Sequence, residues 1–74
     1  MLEWIRIRDE VTCEVYYDLY DHVVQNTVVT VREVSKRYQV RILDHAPFHT
    51  KTVRVAKEVG QHIYEQTCIK QLAC

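Results

Sequence analysis

The sequence predicts a mostly α, three-helix single domain spanning residues 1–74, with at most a short two-stranded β element. Three observations predict it. The chain holds one glycine and one proline, too little turn chemistry for an all-β sandwich. It is 47% hydrophobic, too apolar for a disordered tail. Apolar residues recur at spacings of three and four along two long segments, the period of an amphipathic helix. At 74 residues the domain lies near the lower limit at which a core supports itself, which leaves little room for a deep substrate pocket.

The elements follow in order. WIRIR (Trp4 to Arg8) alternates apolar and basic residues, as a short strand or as the leading turn of the next helix. A first helix runs from about Asp9 to Asn26, on a stripe of Val11, Val15, Leu19 and Val23, with Asp9, Glu10 and Glu14 at the positive end of its dipole. Cys13, Tyr16, Tyr20 and Val24 widen that stripe beyond what so small a monomer covers. Tyr16, Tyr20 and Val24 are therefore the expected dimer face. Val28-Val29 is a β-branched pair long enough for one rung of a sheet. Thr30 and Glu33 have the spacing of a capping box and open a second helix. Its Val31, Val34 and Tyr38 point inward, with Arg32, Lys36 and Arg37 outward. Gln39 to Leu43 alternates as an extended connector or strand, and Asp44-His45-Ala46-Pro47 is the one strong turn. The last helix starts at Thr50 or Lys51 and runs to Lys70 or beyond, on Val53, Ala56, Gly60, Ile63 and Thr67, with Val59, Tyr64 and Ile69 broadening the face. Gly60 costs about 1 kcal/mol against alanine in a helix and marks a close helix crossing.

The formal net charge is zero, but the charges are sorted along the chain. Up to Asn26, Glu3, Asp9, Glu10, Glu14, Asp18 and Asp21 face only Arg6 and Arg8. Between Arg32 and Lys57, Arg32, Lys36, Arg37, Arg41, Lys51, Arg54 and Lys57 face only Glu33 and Asp44. An acidic half followed by a basic half points to a charged partner, or to a second copy that neutralises the asymmetry.

TVREVSKRYQV, Thr30 to Val40, resembles the first helix and turn of helix-turn-helix and winged-helix DNA-binding proteins. Thr30 stands at the cap, Val34 four residues on, and Ser35 as the small residue where two helices cross. Tyr38 and Val40 fill the large and β-branched apolar positions. His49 to Ala56 looks like the start of a recognition helix. The connector from Arg41 to His49 is longer than the usual turn, and Gln39 stands where glycine is usual. The resemblance implies a helix-turn-helix-like pair in a small sequence-specific transcriptional regulator that binds double-stranded DNA as a homodimer. Arg32, Lys36 and Arg37 would hold the backbone, while Lys51, Thr52, Arg54 and Lys57 enter the groove, and Arg41 of the connector completes the nucleic-acid-binding set.

The alternative is a protein-interaction module without a nucleic-acid role, an oligomeric adaptor or small inhibitor using the acidic, tyrosine-rich first helix. No catalytic constellation, cofactor motif or small-molecule site is legible. His45 and His49 lack a cysteine pair at ligand spacing, so no metal is expected. Cys13 in an acidic segment is an unreactive thiol. With Cys68 and Cys74 it makes an odd count without a signal peptide, the pattern of a cytoplasmic or nuclear protein with reduced thiols. No apolar run is long enough to span a membrane.

Overall fold

The fold, seen in a computed structural model, is a five-stranded antiparallel meander with one helix across one face. Residues 1–43 and 45–72 are described, without the side chains of 68–72. The order is β1 (Leu2–Arg8), β2 (Val15–Asp21), β3 (Asn26–Val34), β4 (Arg37–Ile42), β5 (Phe48–Thr50) and α1 (Val53–Leu72). Neighbours in sequence are neighbours in the sheet throughout.

The strands form where β-branched and aromatic residues accumulate, as in VYYDLYD of β2 and NTVVTVREV of β3. Alternate residues turn to opposite faces. One cross-strand row carries Trp4, Leu19, Val29 and Ile42; the next carries Arg6, Tyr17, Val31, Val40 and Phe48. Leu19, Val29, Val31 and Val40 are fully buried there, each worth about 1.5–3 kcal/mol on transfer from water. Val28 occupies the register shift between β2 and β3 and is buried as well.

α1 packs on β3, β4 and β5, closing the core with Ala56 and Tyr64. Thr52 caps it, its hydroxyl accepting the Val55 N–H at 3.2 Å. Gly60 marks a close approach, but of the helix to the sheet: a Cβ there would lie 3.0 Å from Val29 Cγ1 and 3.1 Å from Val40 Cγ1.

The mostly α, three-helix, all-α expectation is overturned. The segment from Asp9 to Asn26 is not a helix but a loop, the strand β2 and a turn. Val11 and Val23 of the expected stripe are 92% and 79% exposed. A spacing of four puts residues on one side of a strand as well as of a helix, so Val11, Val15, Leu19 and Val23 did not discriminate. Val28-Val29 is the middle of a nine-residue strand. Thr30 and Glu33 lie on opposite faces of β3, so no capping box forms.

The helix-turn-helix-like pair is absent for the same reason: TVREVSKRYQV is a β-hairpin. Ser35 and Lys36 form its two-residue turn, with φ of 51° and 67°, the type I′ geometry that fits a twisted ladder. Cys13 and Gln25 also carry positive φ, 61° and 56°. The turns use left-handed residues other than glycine, so a single glycine did not exclude a meander. Of the two readings left open for WIRIR the structure shows the strand, Gln39 to Ile42 is extended, and the last segment is a helix that starts at Val53, after Thr50 has closed β5. The turn before Pro47 closes with the His45 N–H on the Ile42 carbonyl at 3.0 Å. Asp44, Ala73, Cys74 and the side chains of Cys68, Ile69 and Lys70 lie outside the described residues.

Candidate functional site

The helix leaves the opposite face of the sheet uncovered. Period-two alternation sends Glu3, Ile5 and Ile7 of β1, Tyr16, Asp18 and Tyr20 of β2, Thr30 and Arg32 of β3, and Arg37, Gln39 and Arg41 of β4 to that outer face. Two cross-strand rows organise it. Ile5, Asp18, Thr30 and Arg41 form one; Ile7, Tyr16, Arg32, Gln39 and His49 form the other.

The Arg32 guanidinium lies 5.6 Å from the Tyr16 ring centroid, a cation–π distance. Tyr20 meets the His22 ring edge to face at 4.9 Å. His22 Nε2 in turn lies 2.9 Å from Glu3 Oε1. Between the two tyrosines on β2, Asp18 Oδ1 is shielded from solvent and has no hydrogen-bond partner among the described residues. Ile5 and Val34 remain 38% and 39% exposed. The face is thus apolar and aromatic on β1 and β2, and basic on β3 and β4.

The expected nucleic-acid residues divide between the two sides of the sheet. Arg32, Arg37 and Arg41 belong to the outer face, and Lys36 to the hairpin turn. Lys51 and Thr52 precede α1, and Arg54 pairs with Glu58 on the helix at 3.3 Å. Lys57 lies on the helix side, its Nζ 4.2 Å from the Tyr17 ring centroid and 5.6 Å from that of Trp4. These cations do not gather on one ridge, and the groove-entering helix that the resemblance implied is packed against a sheet. DNA binding through that motif therefore has no structural support. Of the expected dimer residues, Tyr16 and Tyr20 share the outer face of β2, while Val24 sits exposed in the turn after it.

Sequence reasoning missed Ile5, Ile7, Asp18 and Gln39. The signal that carries them is the period-two alternation of WIRIR extended into VYYDLYD, blurred because tyrosines occupy both faces of β2. On the helix side, a cleft of about 380 Å³ is lined by Trp4, Val53, Arg54, Lys57, Glu58 and Gln61. Trp4 Nε1–H donates to Gln61 Oε1 there at 2.9 Å.

The Asp21 carboxyl has a lowered pKa. Asp21 accepts the Tyr64 hydroxyl at 2.6 Å and the Val23 N–H at 2.9 Å. The first of these chiefly holds its carboxyl below the ordinary carboxylate value. This is a structural contact at the end of β2. His45 Nε2 lies 2.9 Å from Thr67 Oγ1, and no cluster able to hold a metal occurs among the described residues. No helix among them is long and apolar enough to cross a membrane. Comparison with protein-family models, curated proteins and solved structures finds no match to this chain.

Proposed function

We propose that this protein is a non-catalytic protein-association module that receives a partner polypeptide on the outer face of its sheet. One observation carries the reading: a whole sheet face has no covering layer among the described residues and is built from the residue types that dominate association energetics. Tyrosine and arginine are enriched at interface hot spots, and Tyr16, Tyr20, Arg32, Arg37 and Arg41 all belong to this face. Ile5 and Ile7 supply apolar area beside them.

The chemistry describes the partner. Arg32, Arg37 and Arg41 have no carboxylate partner among the described residues, so an occupant bearing carboxylates on one flank satisfies them. Asp18 Oδ1 asks for a donor near the centre, because a buried acceptor without one costs about 1–3 kcal/mol. A docked surface that is apolar in the middle, with one donor there and acids to one side, meets all three demands. The acidic, tyrosine-rich segment, expected as a helix, contributes Tyr16, Asp18 and Tyr20 to this surface as strand β2.

Affinity capture with purified protein tests the proposal, comparing wild type, the outer-face variant Tyr16→Ser/Arg41→Glu and the exposed control Lys51→Ala. The expected result is one stoichiometric partner held by wild type and control, lost by the outer-face variant, and rebinding as purified protein. Capture insensitive to the outer face overturns the proposal. So does retention of nucleic acid alone, with affinity falling steeply as salt rises.

A further inference from the structure

β1 is an edge strand: β2 covers one side, and no strand among the described residues pairs along the other. The phase of the ladder fixes which backbone groups face that free side. The His22 N–H donates to the Met1 carbonyl at 3.0 Å, and the Asp9 N–H to the Glu14 carbonyl at 2.8 Å. Both pairs continue the register that runs from Leu2↔Asp21 to Arg8↔Val15. Hydrogen-bonded pairs alternate in an antiparallel ladder, so Glu3, Ile5 and Ile7 direct their backbone groups to β2. Leu2, Trp4, Arg6 and Arg8 turn theirs outward. Natural edges are commonly blunted by proline, charged side chains or a bulge; β1 has no proline, its register with β2 is unbroken, and its charges, Glu3, Arg6 and Arg8, are of both signs.

We propose that this edge pairs antiparallel with β1 of a second copy, giving one continuous ten-stranded sheet with both helices on the same side. A two-fold axis normal to the sheet requires residues of one face to stand opposite each other. That leaves registers centred on Trp4, Ile5 or Arg6. Centring on Arg6 opposes two guanidinium groups, which destabilises the pair. Centring on Trp4 leaves Ile7 and Arg8 beyond the overlap. Centring on Ile5 pairs all of Leu2 to Arg8. It places Leu2 opposite the partner's Arg8, Glu3 opposite the partner's Ile7 and Trp4 opposite the partner's Arg6.

This register sets no two like-charged strand residues directly opposite each other. It also sets a guanidinium beside an indole twice, a favourable cation–π pairing. Every outward backbone group of β1 then meets its complement. The dimer also joins the two outer faces, with Ile5, Ile7, Tyr16 and Tyr20 of both copies in the middle and the arginines at both flanks. That is the apolar centre and polar rim of an association surface. Pairing of the edges does not depend on the docking proposed above, and mass in solution tests it without any partner.

Sedimentation of the full chain is expected to give twice the 8.9 kDa chain mass. Arg6→Pro removes an N–H that points to the free side and none that bonds β2, so it is expected to give a monomer with an unchanged circular-dichroism spectrum. Ile5→Lys, at a 38% exposed side chain, supplies a second variant should proline disturb the strand. Two ammonium groups facing across the axis are expected to weaken dimerisation about tenfold or more. Where Cys13, Cys68 and Cys74 are replaced by serine, Ile5→Cys is expected to cross-link two chains on oxidation. Facing residues of a pair without ladder hydrogen bonds lie about 4.5 Å apart at Cα, within disulfide reach. Ile7→Cys in the same background is expected to stay reduced. A monomer at all concentrations, a dimer indifferent to Ile5→Lys, or equal cross-linking at positions 5 and 7 overturns the proposal.

Discussion

The Tyr64 hydroxyl donates a 2.6 Å hydrogen bond to Asp21, tying α1 to the far end of β2. The contact joins residues of β2 and α1 that lie far apart in sequence. It also holds the Asp21 carboxyl below its ordinary value of 3.8. A carboxylate whose pKa is lower folded than unfolded stabilises the fold at pH above the unfolded value. That contribution is lost as pH falls through the folded one. Denaturant titrations of wild type are therefore expected to lose stability below about pH 4. Tyr64→Phe should be less stable at neutral pH and show a shallower acid decline. An unchanged acid limb in that variant counts against the assignment.

Gly60→Ala tests the helix–sheet contact. Alanine favours the helix by about 1 kcal/mol, but its methyl would press on Val29 and Val40 at 3.0 and 3.1 Å. Both valines are fully buried, and overpacking a core costs about 1–3 kcal/mol. A net loss of up to about 2 kcal/mol is expected in chemical denaturation, whereas at an uncrowded helical glycine the same change stabilises.

The hairpin at Ser35-Lys36 makes the opposite prediction. Side-chain-bearing residues in the left-handed region cost roughly 1–2 kcal/mol each, and Asn-Gly is the favoured pair for this turn. Ser35→Asn/Lys36→Gly is expected to raise the thermal midpoint without altering the circular-dichroism spectrum. If this segment were helical, the inserted glycine would lower it.

Trp4 is the single tryptophan, so its fluorescence reports the helix-side cleft. Lys57→Ala removes the ammonium from the Trp4 and Tyr17 rings, at a cost of about 0.5–1 kcal/mol, and should shift the emission. An unchanged spectrum would place the lysine away from the indole.

Legibility in the sequence tracked how far each residue's signal was local. The last helix was legible because Val53, Ala56, Gly60 and Ile63 mix spacings of three and four, which only a helix aligns on one face. β1 carried an alternation that left strand and helix turn both open, and β4 was legible only from Gln39 onward, since Arg37 and Tyr38 read as helix. β2 was not, because Tyr16 and Tyr20 on one face and Tyr17 on the other flatten the contrast. Asp21 sits among the inward residues, where its carboxylate accepts the Tyr64 hydroxyl from far along the chain. The hairpin was hidden by its turn: Ser35 and Lys36 carry none of the glycine or asparagine that usually announces positive φ. Charge sorting along the chain was real. Its meaning changed, since strand alternation splits Arg32, Arg37 and Arg41 from Arg54 and Lys57 across the sheet.

The most direct test of the outer face is residue-resolved NMR of the labelled protein, titrated with the purified partner recovered by capture. The expected perturbations fall on Ile5, Tyr16, Asp18, Tyr20, Arg32 and Arg41, with α1 unaffected. Shifts confined to Trp4, Arg54, Lys57 and Gln61 would contradict the account and move the working surface to the helix side.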